Sequence, residues 1–360
     1  MRIVVKIGSS VLLDEDGKIE TRRLKNITDQ ISVLEKTNDV LLVSSGAIAA
    51  GTAVLNVEKQ PGNIIRQQAL SAVGQPYLIS LYQELFSKDG TRIAQVLLSR
   101  DDLANRRRYL NAKNTLLNLI KMKVVPVINE NDTVVVYELC FGDNDNLSSL
   151  VANLIEADLL IILSDIDGIY NDDPKINPDA RIIKNISNIE NLNIKTTEHI
   201  SCYGTGGMKS KIDAIKRASL SGIKSIVANG KRDGIILDIV SERHSGTTVL
   251  PSRTPLQAKK YWLLYDGVSQ GRVSIDRGAY NAINSGKSLL PAGIRKIEGG
   301  FQRGDIVDII IDNRSIGKGI INYNYDEAIK IIGKNSARIS KILGYSYGDE
   351  IIRRENVAFL

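Results

Sequence analysis

INENDTVVVYELCFGDNDNLSS, Ile128 to Ser149, follows directly on the apolar run Val124-Val125-Pro126-Val127-Ile128. Asn129, Glu130, Asn131 and Asp132 crowd its front, and Asp143, Asn144, Asp145 and Asn146 its back. An open α/β sheet offers its ligand site at the carboxyl edge of its strands, and a buried strand ending in carboxylates and amides fits that edge. One such tetrapeptide alone reads as an Asx-rich turn. Two of them flanking one short extended segment ask for more, because each carboxylate in a cleft must be offset by a cation, a metal or a ligand.

The chain has 360 residues, 43% of them hydrophobic, enough for two ordinary domains with real cores. No apolar run approaches the ~20 residues that span a bilayer. MRIVVKIGSSVLL is read as a first core strand rather than a signal peptide, because Lys6 interrupts a short apolar region. Two cysteines, Cys140 and Cys202, and two histidines, His199 and His244, argue against a disulfide scaffold, a zinc site or histidine-centred acid/base chemistry. A reducing cytoplasm is the expected compartment. The formal charge is +6, and Lys259 to Leu360 holds 16 basic and 11 acidic residues, a net of +5. A basic C-terminal module could touch nucleic acid, or simply be a solvated surface.

Outward from the central segment the pattern repeats. Arg2 to Ile7 is a buried-type strand followed by the small-residue loop Gly8-Ser9-Ser10. Lys6 inside it is either an edge lysine that snorkels to water or a phosphate contact beside a glycine loop. Leu24, Ile27, Ile31 and Leu34 recur at helical spacing within Thr21 to Lys36, and Asp39 to Ser44 returns as a strand. The run from Ser44 to Gly51 (SSGAIAAG) leads into a helix, and its small residues serve either an anion at the helix N-terminus or close helix packing. Ile64 to Phe86 reads as helix, Arg92 to Leu98 as strand, Asp101 to Lys121 as one helix, and a further helix begins at about Leu147. Leu159 to Leu163 is a buried strand. Strand and helix alternate as in a doubly wound parallel sheet.

Ser164 to Ile183 is turn-rich, with Asp-Gly, Asp-Pro and Asn-Pro dipeptides. Gly204 to Lys211 (GTGGMKSK) then opens an amphipathic helix, Ile212 to Ser221, and a glycine-rich loop delivering a lysine to a helix N-terminus is a phosphate-binding arrangement. It lacks the Walker A spacing, as does Ser285-Gly286-Lys287-Ser288, and the Rossmann fingerprint is absent. Asp143-Asn144-Asp145 lacks the glycine of an EF-hand loop.

VVKIGSSVL, VSSGAIAAG, PVINEND, GDNDNLS, LSDIDGIYNDDP and GTGGMKSK, in that order, closely resemble the motifs of the amino acid kinase family, and within it the branch acting on glutamate. The resemblance runs from Met1 to about Leu250. It implies an eight-stranded, mostly parallel sheet sandwiched by helices. Gly271 to Ile311 resembles a PUA domain, a small β-barrel-like module best known from RNA-modifying enzymes. The domains implied are 1–250 catalytic, 251–258 linker and 259–360 PUA-like with a C-terminal extension.

The resemblance also implies roles. Lys6 and Lys211 would meet the ATP phosphates from two sides, with Gly8 approaching closely and Asp145 holding the lysines in register. Ser45, Asp132 and Asn144 would grip L-glutamate. Ser164 and Asp165 would line the nucleotide site together with Thr205, Gly206, Gly207, Met208, Lys209, Ser210 and Lys211; Lys209 stands where the family often has a small polar residue and is expected to point to solvent. Mg²⁺ would come with ATP, with no protein metal ligand assigned. The implied reaction is phosphorylation of the γ-carboxylate of glutamate, the first step of proline synthesis, with L-proline as feedback inhibitor, glutamyl phosphate reductase as a partner, and a homodimer or homotetramer as assembly. Acetylglutamate kinase, aspartokinase and uridylate kinase would share the lysines and glycine loops. An RNA-binding protein with a kinase-like scaffold is the alternative from another class.

Overall fold

The computed structural model describes residues 1–57, 63–134, 144–172, 174, 176–189, 207–243, 246–252, 254, 257, 260, 263–264 and 268–359. The chain divides into two compact units, Met1–Arg253 and Thr254–Leu360. Among the described residues no helix is long and apolar enough to cross a membrane.

The first unit begins with β1 (Arg2–Ile7), α1 (Ser9–Leu12), α2 (Thr21–Leu34), β2 (Asp39–Val43), α3 (Ala47–Leu55) and α4 (Ile64–Ser87). It continues with β3 (Arg92–Leu98), α5 (Arg100–Ala104), α6 (Arg106–Lys121), β4 (Val124–Glu130), α7 (Asn144–Leu154) and β5 (Leu159–Ser164). Then come β6 (Asn185–Ile186), α8 (Met208–Leu220), β7 (Lys224–Asn229), α9 (Ile235–Val240) and β8 (Thr247–Val249). The eight strands form one sheet in the order β3-β4-β2-β1-β5-β7-β8-β6. The run from β3 to β7 is parallel; β8 pairs antiparallel to β7, and β6 runs with β8.

β1 stands near the middle, paired in register with β2 and β5, and this decides where Lys6 goes. Successive side chains of a strand alternate between faces. Ile3, Val5 and Ile7 enter the core shared with α2, α4 and α9, whereas Val4 enters the core shared with α7 and α8. Lys6 therefore shares the face of Val4, toward α7 and α8. Its four apolar strand neighbours are fully buried, each worth roughly 1.5–3 kcal/mol, and they hold the strand in place against the cost of burying one lysine. Lys6 pairs in register with Val43 and Ile162, so it lies where β1, β2 and β5 all end. The connections from β1 lead toward β2 and those from β5 toward β7, so the order reverses between β1 and β5 and a crevice opens at their carboxyl ends.

Three element boundaries differ from the sequence expectation. The helix expected over Asp101 to Lys121 is two helices, α5 and α6, because Asn105 leaves helical geometry (φ −79°, ψ 117°) and its side chain accepts from the Arg108 N–H, capping a new start. α5 carries its own capping box between Ser99 and Asp102. α7 begins at Asn144, three residues before Leu147, and α8 at Met208 rather than Ile212. In α7 the extra turn contains Asp145, a carboxylate at the helix end that favours negative charge.

The small residues of SSGAIAAG serve helix packing at Gly51: a Cβ built there would lie 1.8 Å from the Leu70 carbonyl oxygen, and one on Gly74 would lie 1.9 Å from that of Ala47. α3 and α4 thus cross with backbones in contact, which only glycine permits. Gly46, at the start of α3, is left-handed with φ +97°.

The second unit is a five-stranded sheet in the order β10-β9-β11-β12-β13, with β9 (Ser269–Ile275), β10 (Ile294–Gly299), β11 (Ile306–Ile311), β12 (Arg314–Ile321) and β13 (Ile352–Phe359). β9 and β11 are parallel and the other pairs antiparallel. Asp312 and Asn313 both have positive φ, 47° and 62°, as a two-residue hairpin turn between β11 and β12 requires. Val273, Phe301, Val307, Ile321 and Tyr323 fill its core. The C-terminal strand β13 pairs with β12 of the same chain.

Candidate active site

At the crevice, one carboxylate joins three elements. Asp145, in the first turn of α7, is fully buried; its Oδ1 lies 2.5 Å from the Lys6 Nζ of β1, and its Oδ2 lies 3.2 Å from the Lys211 Nζ of α8. Ser210 Oγ also donates to Oδ2, at 3.1 Å. Lys6 and Lys211 are only 4% and 8% exposed. Burial by itself pushes the Asp145 carboxyl up, but the charges of Lys6 and Lys211 and their hydrogen bonds outweigh it and hold it below the ordinary carboxylate range. Two nearly buried ammonium groups share one fully buried carboxylate, an arrangement that favours the approach of a further anion.

Gly8 leaves β1 and donates its N–H to the Leu163 carbonyl of β5 at 3.1 Å. A Cβ on Gly8 would stand 3.2 Å from that carbonyl oxygen and 3.6 Å from Lys6 Nζ, so any larger residue would begin to cover the ammonium group. Across the crevice, Asp165 Oδ1 accepts from Ser10 Oγ at 3.1 Å and from Ser164 Oγ at 3.2 Å. Burial disfavours its charge, yet its own backbone N–H, the Ser10 and Ser164 hydroxyls and the Lys211 charge together hold its carboxyl below the usual range. Ser164 is buried. At the start of α8, Gly207 and Lys209 are exposed, and Met208 is half-buried against the core under α7 and α8. Thr205, Gly206 and Asp143 lie outside the described residues.

A second group of polar side chains lies where β2 and β4 end. The Asn144 amide nitrogen donates to the Ser44 carbonyl at 2.8 Å, to Ser45 Oγ at 3.0 Å and to Asn129 Oδ1 at 3.1 Å. Its own Oδ1 is buried with no hydrogen-bond partner among the described residues. Asp132 is held separately: its Oδ2 accepts from Ser71 Oγ of α4 at 2.6 Å. Burial raises the Asp132 carboxyl above its ordinary value, and the Ser71 hydrogen bond only partly opposes it. An orphaned acceptor and a desolvated carboxylate in one region suit a cationic group on a ligand.

Lys6, Asp145, Lys211, Ser45 and Asn144 are thus brought together by direct contacts or one intervening residue. The contribution of α4 was not foreseen. Gln67, Ser71 and Gln75 recur every four residues on its buried side, and Gln75 and Ser71 reach the ends of β4 and its following turn. That four-residue polar repeat was the available signal, but it reads as a solvated helix face. Ser44, whose hydroxyl pairs with the buried Tyr82 hydroxyl at 2.8 Å, and Ser10 were likewise unassigned.

The amino acid kinase family profile matches residues 1–229, and the PUA domain profile matches residues 271–343. Across 364 residues the chain is 45% identical to the glutamate 5-kinase of Thermoanaerobacter pseudethanolicus, covering 100% of this chain and 98% of that one. It is 46% identical over 363 residues to the glutamate 5-kinase of Geobacter metallireducens, covering 100% and 97%. Among solved structures, the UMP kinase from Ureaplasma parvum shares the fold over 69% of this chain and 98% of its own, with a TM-score of 0.50 and 18% identity. With the sheet order, the buried lysine pair and a family profile matching residues 1–229, the chain belongs to the amino acid kinase family.

Proposed function

We propose that the chain transfers the γ-phosphoryl group of ATP to the γ-carboxylate of L-glutamate, giving ADP and L-glutamyl 5-phosphate, the first step of proline biosynthesis. The observation that carries the reaction type is the pair of buried lysines held on opposite oxygens of Asp145. The full-length relatives named glutamate 5-kinase support the choice of acceptor.

A γ-carboxylate is ionised at neutral pH, so the attacking oxygen needs no general base, and a site without histidine suffices. That oxygen forms a bond to the γ-phosphorus while the bond to the β–γ bridging oxygen breaks, and the electron pair leaves on ADP. The protein must suppress repulsion between two anions and hold them in line. Lys6 and Lys211 face the transferring group from two sides, and Asp145 fixes their positions by geometry. Gly8 keeps Lys6 uncovered, and the N-terminal turn of α8 with Ser210 supplies donors to phosphate oxygens. Ser164 and Asp165, with the loop 205–211, line the nucleotide. On this reading Mg²⁺ comes with ATP, held by its phosphates. When bound there it would neutralise further charge on the moving phosphoryl group.

Ser45, Asn144 and Asp132 take the amino acid, with Asp132 and the Asn144 Oδ1 accepting from its ammonium group. On the same reading L-proline is the feedback ligand, glutamyl phosphate reductase consumes the product, the compartment is the cytoplasm, and a homodimer or homotetramer is the assembly. Residues 1–250 carry the catalysis, 251–258 link, and 259–360 form the PUA-like domain.

The test is a hydroxamate assay with purified protein, MgATP and hydroxylamine, run with L-glutamate, N-acetyl-L-glutamate and L-aspartate. Hydroxamate from L-glutamate alone is the expected result. Equal or greater product from either other acid overturns the choice of acceptor.

A further inference from the structure

We propose that Gln75 is a positioning residue that sets the specificity of this site for an α-amino acid, acting through Asn129 on the Asn144 amide; the inference rests on the function proposed above. Gln75 lies on α4, is buried, and its Oε1 accepts from Asn129 Nδ2 at 2.8 Å. Asn129 Oδ1 accepts from the Glu130 N–H at 2.9 Å and from Asn144 Nδ2 at 3.1 Å. Asn144 Nδ2 donates also to the Ser44 carbonyl.

The polarity of this relay is imposed at its ends. A backbone N–H can only donate and a backbone carbonyl can only accept. Glu130 therefore turns the Asn129 oxygen toward its own N–H, which leaves Asn129 Nδ2 pointing at Gln75. Ser44 and Asn129 together turn the Asn144 nitrogen inward. The only remaining face of the Asn144 amide is its oxygen, buried and without a partner among the described residues. An acceptor so placed wants a donor that arrives with the substrate. The ammonium group of an α-amino acid supplies one, and a dicarboxylate lacking it does not.

Gln75 has one task in this relay: it occupies the Nδ2 donor of Asn129, a residue only 2% exposed. Without that acceptor Asn129 Nδ2 is left as a buried donor with no partner from α4, and the Asn129 amide shifts to relieve it against the hold of the Glu130 N–H. That shift loosens the Asn129 Oδ1 contact that helps to orient the Asn144 amide. A site that recognises a polar group by a fixed buried partner discriminates strongly against the analogue that lacks it, and that discrimination is what Gln75 maintains.

The experiment compares L-glutamate with glutarate, which keeps both carboxylates and lacks the amine. The KM for L-glutamate and the inhibition constant of glutarate are measured for the wild type, Gln75→Met, which removes the acceptor at similar volume, and Gln75→Glu, which retains it. For Gln75→Met the KM for L-glutamate is expected to rise about tenfold, the scale of one buried hydrogen bond. Glutarate inhibition and the KM for ATP should stay within about twofold, and Gln75→Glu should keep the wild-type preference for L-glutamate.

Equal weakening of both ligands in Gln75→Met would mean that Gln75 only packs the helix, and an unchanged preference would overturn the relay. Should Gln75→Met fail to fold, Gln75→Leu, which also removes the acceptor, decides: a lost preference for L-glutamate over glutarate supports the relay and a kept one overturns it. A wild type that makes no hydroxamate from L-glutamate overturns the proposed function and this inference with it. A wild type that does, with no change of preference in either variant, overturns this inference alone.

Discussion

Asp145→Asn is the most direct challenge to the reading of the crevice, because it keeps shape and removes one charge. Asp145 is fully buried and contacts Lys6 at 2.5 Å and Lys211 at 3.2 Å. In the variant two nearly buried ammonium groups face a neutral amide. The two like charges then repel with nothing between them to offset it, and removing one partner of a buried pair costs about 3–5 kcal/mol. At about 2–4 °C per kcal/mol for a unit of this size, the apparent Tm should fall by roughly 6–20 °C. The lysines then separate, and turnover should fall by roughly two to four orders of magnitude, the scale of lost electrostatic groups acting on a transition state. The same charge count adds a sharper test. With phosphates bound the surplus positive charge finds its anion, so MgATP should restore more Tm in the variant than it adds to the wild type. The assays are hydroxamate formation under saturating substrates and thermal unfolding with and without MgATP. A variant whose turnover stays within tenfold of wild type while its Tm falls would show that Asp145 holds the fold and does not organise the lysines for catalysis.

Lys6 and Asp145 stood out because each breaks a local rule, although the part of Asp145 between two lysines came from the family resemblance and not from the residues themselves. A lysine within a run of β-branched residues, and a carboxylate in a tight Asn/Asp cluster after a buried strand, both carry a cost that packing does not explain. The alternation of β1 then sends Lys6 toward α7, so the pairing follows once the strand is known. The relay through Gln75 was not legible for the opposite reason. Gln75 and Asn129 are 54 residues apart, and Ser71 and Asp132 are 61 apart. Nothing local in Gln67, Ser71 and Gln75 distinguishes a buried polar stripe from a wet one, since amphipathic pattern reading assigns polar positions to solvent. The break at Asn105 was missed because Arg106, Arg107 and Arg108 are good helix formers and the periodic pattern runs across them. Capping by the Asn105 side chain outweighs propensity there. The early start of α7 was missed because Asn144, Asp145 and Asn146 read as a turn, although a carboxylate in the first helical turn is favoured by the helix dipole.

The raised carboxyl of Asp132 makes the glutamate site pH-dependent. Only the ionised form offers an ammonium an opposite charge, so the KM for L-glutamate should climb as pH falls through a value above the 3.8 of an ordinary aspartate. Ser71→Ala removes a contact that lowers this value and should move the climb to higher pH; an unmoved profile would take Asp132 out of ammonium recognition. An acid whose folded pKa lies above its unfolded one costs stability once pH exceeds both, so Asp132→Asn should raise the neutral-pH Tm while raising the KM for L-glutamate. Gly51→Ala tests how far the amino acid site depends on the seat of α4. The added methyl would lie 1.8 Å from the Leu70 carbonyl oxygen, a backbone atom that cannot turn aside, so α3 and α4 must separate. Overpacking of this kind costs about 1–3 kcal/mol or more, so the Tm should fall by several degrees. Ser71 and Gln75 ride on α4 just beyond the contact, whereas Lys6, Asp145 and Lys211 come from β1, α7 and α8. The KM for L-glutamate should therefore rise while the KM for ATP stays near the wild-type value. A parallel rise in both would mean that α4 supports the whole crevice rather than the amino acid side of it.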